Sequence, residues 1–426
     1  MQFFLNIIKL ILPKPWLKKI RPFGHGFLAC LAAIWYGFPA RKMTVIGITG
    51  TSGKSTTTQI LSKILNQAGK QTGYITTVEF FDGRKTTLNK HGLSMPGRFL
   101  LQRELAEMVA VGCTHAIVEC TSEGLSQNRH LGIDFDIALI TNLTEAHLEA
   151  HGGFENYKQA KAKLFKALEH SKKKHKIIGV NLDDKHSSFY GAFKAAETFG
   201  ISLKDSKLKQ QHNSTEFQFN GNIFKVHLPG EFNVYNALMA VACAYKLGVN
   251  DHIIVQKALD QIVEIPGRMQ LIQNQKGIKV YLDYAPEPAG MSSALKAVAS
   301  MPHAKLIHVF GSTGGHRDSS KRFEFGKISS NYADVIIITN DDVYDSDPEE
   351  IAGDIEKGIA TNPNRKENIK VLTVLDRKEA IRAAIQFAQK EDILIITGKG
   401  SEQFLVLPGN ERIEWDEKRI IEELLK

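Results

Sequence analysis

The residues best equipped for chemistry stand together at Gly50-Thr51-Ser52-Gly53-Lys54-Ser55-Thr56. The two glycines let backbone N–H groups close around phosphate oxygens. Lys54 can reach the β and γ phosphates of a nucleotide such as ATP, and the Ser55 hydroxyl can ligate Mg2+. The strict pattern has a further glycine five places before Gly53. That place is Ile48, with Gly47 one position off, so the loop is a variant. Glu119 ends the apolar run THAIVEC, where a carboxylate suits a Mg2+ partner. The run DIALIT leads to Asn142 and then to His147 and His151 in a polar stretch. Lys158, Lys161, Lys163 and Lys166 follow, and their pattern alone reads as a solvated helix face.

These groups need strands and helices to hold them. Residues 43–49 (MTVIGIT) read as a buried strand running into the glycine loop. The helix after it carries Ile60, Ile64 and Leu65 on one face and Gly69 near its end. Strand, glycine loop and helix form the setting that a phosphate-binding loop requires. Strand and helix patterns alternate downstream, which predicts an α/β fold with a mainly parallel sheet. From about residue 265, five further strand patterns, at 279–284, 305–310, 334–339, 370–375 and 392–397, predict a Rossmann-like α/β unit. The expected organisation is a short segment 1–43, a phosphate-loop domain 44–264 and a C-terminal α/β domain 265–426.

Composition bounds the rest. The 426 residues are 43% hydrophobic and 23% charged, which excludes disorder and collagen-like structure for the bulk of the chain. Four scattered cysteines, without a CxxC pair, fit neither a zinc site nor a disulfide scaffold and suit a reducing cytosol. The net charge of +8 selects no partner by itself. The basic residues are dispersed and no aromatic-basic module appears, so nucleic-acid binding is not expected. Residues 1–43 stand apart, with an apolar run at 3–12, Pro13 and Pro15 as breaks, a basic cluster (Lys14, Lys18, Lys19, Arg21) and a second apolar run at 27–38. Neither run reaches the ~20 residues that span a bilayer. Docking on the protein's own core is the first reading, and contact of residues 1–40 with an anionic membrane is the second.

Read in order, the motifs resemble the ATP-dependent Mur ligases. The resemblance is carried by the loop 50–56, Thr141-Asn142-Leu143 with His147, and YKQAKAKLF at 157–165. It continues in Asn233-Val234-Tyr235-Asn236-Ala237, Pro266-Gly267-Arg268 and Asp283-Tyr284-Ala285. Within the family the sequence is similar to the UDP-N-acetylmuramoyl-tripeptide synthetases. The segments 119–125, 311–318 and 339–348 and Gly398-Lys399-Gly400-Ser401-Glu402 carry that similarity.

The resemblance implies a cytoplasmic, monomeric, Mg2+- and ATP-dependent ligase of small molecules, at work in peptidoglycan precursor synthesis. An acid would become an acyl phosphate and then an amide. Lys54, Ser55, Glu119 and His147 match phosphate and metal positions, and Lys161 matches a lysine that the family carries as a metal-ligating carbamate. Asn236, Arg268 and Asp283 match positions around ATP. Ser94, Thr121, Gln127 and Arg129 match the acceptor site. Arg317, Asp341, Asp342, Tyr344, Gly398 and Glu402 match the amino-acid site. Tyr344 stands where diaminopimelate enzymes have an arginine for the distal carboxylate. A side chain ending in an ammonium group, as in lysine or ornithine, is therefore expected, with diaminopimelate open. The family's UDP-binding domain does not fit into the residues before Gly47, so other surfaces or a lipid-linked muropeptide are expected to take its place. A sister ligase acting on another acid, such as a polyglutamate, and a nucleotide-dependent switch without ligation stand beside this reading.

Overall fold

The structure is a computed structural model that describes residues 14–89, 95–146, 148–211, 214–315 and 319–426, with side chains from residue 24 onward. Ser94, His147 and Arg317 lie outside the described residues, as does the first apolar run up to Pro13.

An eight-stranded sheet forms the first body. Its centre is the strand Thr44–Thr49, flanked in parallel by His115–Glu119 and Ile137–Ile140. Thr72–Ile75 pairs beyond the former, and Ile177–Asn181 and Glu197–Ile201 extend the sheet past the latter, all in parallel. Two short antiparallel strands, Glu79–Phe81 and Thr86–Leu88, close one edge. The central strands are buried on both faces, which is why they read as near-continuous apolar runs. One face packs under the helices Lys54–Gln67 and Glu231–Lys246, the other under Phe154–His170 and Arg98–Val111.

The second body is a six-stranded sheet ordered Gln270–Ile272, Lys279–Asp283, Ile393–Thr397, Leu306–Phe310, Val335–Ile338 and Lys370–Thr373. It is parallel except at its first pair. The five strands expected from the sequence are all present, and the antiparallel edge strand was not foreseen. A hairpin, Phe404–Val406 with Arg412–Glu414, rides on this body.

The first described helix joins the basic cluster to the second apolar run. Residues Lys14–Trp35 form one helix. Pro15 falls in its first turn, where the missing N–H costs nothing, and the run 3–12 that it was expected to end lies outside the described residues. The helix packs on Arg98–Val111 through small residues, with Gly26, Ala29, Ala32 and Ala33 buried. Phe27, Leu31, Ile34 and Trp35 on the opposite side are 66%, 38%, 59% and 78% exposed, the reverse of the usual amphipathic arrangement.

Candidate active site

The strand Thr44–Thr49 ends at the loop, and the helix Lys54–Gln67 begins with Gly53 as its N-cap at φ 82°. A β-carbon on Gly53 would stand 2.1 Å from Asn236 Oδ1, so a side chain there is excluded twice, by conformation and by space. Gly47 serves packing instead. A β-carbon there would meet Leu164 at 2.5 Å and Phe135 at 2.9 Å, so its offset from the loop pattern is unrelated to phosphate. The helix ends at Gln67 with Gly69 at positive φ, as its position predicted.

Four groups named from the sequence converge here. Ser55 Oγ donates to Glu119 Oε2 at 2.7 Å. Thr77 holds both oxygens of that carboxylate, its N–H at 3.0 Å and its hydroxyl at 2.9 Å. Lys54 Nζ donates to the carbonyls of Gly50 and Thr51 at 3.1 and 2.9 Å. Lys161 Nζ donates to the same Gly50 carbonyl at 2.6 Å and lies 4.5 Å above the Tyr157 ring. Lys161 is 2% exposed, although its helix is lysine-rich. Burial, then the neighbouring Lys54 charge, hold its amine well below the ordinary lysine range, against the pull of Glu119. Burial likewise lowers Lys54.

Asn142 and Thr141 fix the loop from below. Asn142 Oδ1 accepts from Ser52 N–H at 3.0 Å, and Thr141 Oγ1 donates to the Ser52 carbonyl at 2.6 Å. Tyr157 shares a hydrogen bond with Thr51 Oγ1 at 3.0 Å.

A cavity of about 910 Å³ opens above the loop and reaches the second sheet. Lys54, Glu119, Lys161 and Asn236 line its first end. Arg268 and Asp283 line its middle, with Arg268 lying 4.5 Å over the Tyr284 ring. Burial raises the Asp283 carboxyl to about 6, opposed by Arg268 and by the N–H of Met269 at 2.6 Å. Asp341, Asp342, Tyr344, Gly398 and Glu402 line the far end. Thr121 also reaches the cavity while its hydroxyl caps the helix Ser122–Ser126.

Gln127 and Arg129 are placed differently. Arg129 is buried, donates to the Met95 carbonyl and to Gln127 Oε1 at 2.8 Å, and neither residue lines the cavity. Their described contacts brace the turn after the helix Ser122–Ser126. Sequence reasoning missed Thr77, the Lys321–Glu287 pair at 3.7 Å in the cavity wall, and the hairpin residues Phe404 and Arg412. None belongs to a local motif, and only the fold brings them in.

The donor set suits a hard cation. A hydroxyl and a carboxylate adjoin a phosphate loop, and no group of three His, Cys, Asp or Glu forms a protein cage among the described residues. Mg2+ commonly takes one or two protein oxygens and completes its shell with phosphate and water. Ser312 and Thr313, also lining the cavity, have buried hydroxyls without hydrogen-bond partners among the described residues, a further provision for polar ligand atoms.

Comparison with known proteins agrees with this geometry. Residues 48–244 match the Mur ligase middle domain, and residues 267–400 match the Mur ligase glutamate ligase domain. The UDP-N-acetylmuramoyl-L-alanyl-D-glutamate–2,6-diaminopimelate ligase 1 of Clostridium acetobutylicum is 36% identical over 415 residues, 95% of this chain and 82% of that enzyme. A solved UDP-N-acetylmuramoyl-L-alanyl-D-glutamate–2,6-diaminopimelate ligase superposes with a TM-score of 0.59 at 28% identity, covering 90% of this chain and 78% of that one. The Mycobacterium tuberculosis folylpolyglutamate synthase, solved with ADP and AMPPCP, gives a TM-score of 0.70 at 17% identity over 88% and 92% of the two chains, a likeness of fold.

Proposed function

Because the chain belongs to the Mur ligase family, and so is an ATP-dependent, ADP-forming acid–amino-acid ligase, we propose that it joins a diamino acid to a UDP-N-acetylmuramoyl-dipeptide in peptidoglycan precursor synthesis. The observation that carries this reading is one cavity with a phosphate loop at one end and an acid-and-base-lined wall of the second sheet at the other.

The acceptor carboxylate and the γ-phosphate repel each other, so their approach needs cations. Lys54 meets the phosphates from the loop, and the helix N-terminus at Gly53 adds its field. Ser55 and Glu119 would hold Mg2+, with His147 and a carbamate on Lys161 as further ligands. Mg2+ screens the phosphate charge when bound. A carbamate forms only on a neutral amine, and the buried, charge-crowded position of Lys161 supports that form. Carboxylate attack on the γ-phosphorus gives an acyl phosphate and ADP. The amine of the incoming amino acid then displaces phosphate. Arg268 and Asp283 meet the nucleotide from the second body, and closure there shields the acyl phosphate from water. On this reading residues 44–264 bind ATP and acceptor, residues 265–426 bind the amino acid, and Ser94, Thr121 and Arg317 contact substrates. Gln127 and Arg129 support the acceptor site from beneath.

The enzyme acts as a monomer in the cytoplasm, at the inner face of the membrane. Support comes from the exposed row Phe27, Leu31, Ile34 and Trp35, which is large and apolar. Charge agrees: residues 1–42 hold seven Lys or Arg, and the first acidic residue of the chain is Glu79. Such a helix suits an anionic lipid surface, and no helix among the described residues is long and apolar enough to cross a membrane.

The test is ADP release by purified enzyme. It should require both the muramoyl-dipeptide and a diamino acid. Equal release without either would make the protein a plain nucleotidase and end the ligase reading.

A further inference from the structure

The far end of the cavity contains a cation that no sequence motif announced. The hairpin Phe404–Val406 with Arg412–Glu414 is pinned to the segment 342–344. Val406 N–H donates to Asp342 Oδ1 at 2.9 Å, Val343 N–H donates to the Val406 carbonyl at 3.0 Å, and Gly409 N–H donates to the Tyr344 carbonyl at 2.9 Å. Lys399, the partner of Glu402, lies 5.4 Å from the Phe404 ring, and the register sets Arg412 opposite Val406 in the same hairpin. Its guanidinium lies 3.3 Å over the Phe404 ring and lines the cavity. Stacking fixes the plane of the guanidinium while leaving its N–H edge available. Among the described residues no carboxylate pairs with it.

The acidic groups nearby are not equivalent to one another. Asp342 accepts from Lys399 at 2.8 Å and from Val406 N–H, and Asp341 accepts from Asp342 N–H at 2.7 Å. Both are almost fully buried, so their charges serve the fold. Glu402 also meets Lys399, at 2.6 Å, but its side chain is 26% exposed toward the cavity. Among the described residues the cavity end therefore offers one accessible carboxylate and one accessible, planar cation.

We infer that Arg412 receives a carboxylate at the distal end of the incoming amino acid, with Glu402 receiving the ammonium beside it. The inference rests on the proposed ligase reading and names its substrate class: a diamino diacid such as diaminopimelate, whose far end is itself an amino-acid head group. Lysine and ornithine bring the ammonium without the carboxylate and leave Arg412 unmatched. The absence of an arginine at Tyr344 then signals a carboxylate clamp moved to the hairpin, in place of the ammonium-ended side chain expected from the sequence.

The test is kcat/KM for diaminopimelate and for lysine, with saturating ATP and acceptor, in wild type, Arg412→Ala and Arg412→Lys. Wild type should prefer diaminopimelate. Arg412→Ala should lose about 10- to 100-fold with diaminopimelate, mainly in KM, the size of a lost charge-assisted hydrogen bond. Activity with lysine and the KM for ATP should stay as they were, which shows that the variant is folded. Arg412→Lys should recover part of the loss, since it keeps the charge without the fork. An unchanged diaminopimelate-to-lysine ratio in Arg412→Ala overturns the inference alone. Wild type that ligates neither amino acid overturns the ligase reading and the inference with it.

Discussion

Lys54 and Lys161 donate to the same carbonyl oxygen, that of Gly50, at 3.1 and 2.6 Å, from helices on opposite faces of the sheet. Two ammonium groups do not share one acceptor in a buried place without cost, and the carboxylate of Glu119 is the only counter-charge acting on both in this part of the described site.

The first prediction follows for stability. The folded-state pKa of Lys161 lies below its ordinary value of 10.5. Between those values the unfolded chain holds a proton that the native one lacks. The group's contribution therefore worsens as pH falls from 10.5 and is harmless above it. Lys161→Met should be stabilised relative to wild type at pH 7 and lose that advantage by about pH 10. Denaturant unfolding at the two values measures it, and a pH-independent difference would remove the charge argument.

Function should go the other way. Lys161→Ala should lose product formation by about 100- to 1000-fold, the scale for removing a preorganised electrostatic contact. If a carbamate is the working form, formate or acetate should restore part of the activity. Full activity in Lys161→Ala would take the residue out of the mechanism.

Ser55→Ala and Glu119→Gln should each cost about 100-fold or more in kcat and raise the Mg2+ concentration needed for half-maximal activity. Titrating Mg2+ at fixed ATP separates this from a folding defect, because circular dichroism should be unchanged. Unaltered Mg2+ dependence in both variants would refute the metal assignment.

A fourth prediction concerns the buried pair Arg377–Glu417, which meets at 2.8 Å with both side chains fully buried. Arg377 also donates to the carbonyls of Asn340 and Thr397 at 3.0 and 2.8 Å, which tie down the strand ends beside Asp341 and Gly398. Arg377→Met should destabilise by about 3–5 kcal/mol, because it strands a buried carboxylate. Arg377→Met with Glu417→Leu should recover most of that in thermal unfolding. A double variant as unstable as the single one would show that the backbone contacts, and not the charge pair, carry the effect.

The helix Lys14–Trp35 gives a fifth. Wild type should sediment with vesicles containing phosphatidylglycerol and not with phosphatidylcholine alone. Replacing Phe27, Leu31, Ile34 and Trp35 with serine should abolish sedimentation at unchanged ADP release. Vesicle-independent self-association in size-exclusion runs would assign the face to a second copy instead.

What the sequence revealed depended on how local each signal is. The phosphate loop was legible because one turn of chain holds Gly50, Gly53, Lys54 and Ser55. Glu119 was legible because a strand end is a place as well as a pattern. Lys161 was invisible to periodicity: its helix buries that lysine, half-buries Lys158 and Lys163 and leaves Lys166 exposed, a choice made by packing and found only through family resemblance. Arg412 was missed because its partner segment lies near residue 344, joined to it by a hairpin that no motif marks.

The account rests on carboxylate oxygen reaching the γ-phosphorus, and isotope transfer measures that directly. With acceptor labelled by 18O in its reacting carboxylate, ATP and a diamino acid, each phosphate released should carry one labelled oxygen from the acceptor. Product formed with unlabelled phosphate would contradict the acyl phosphate, and with it the role assigned to the site around Lys54.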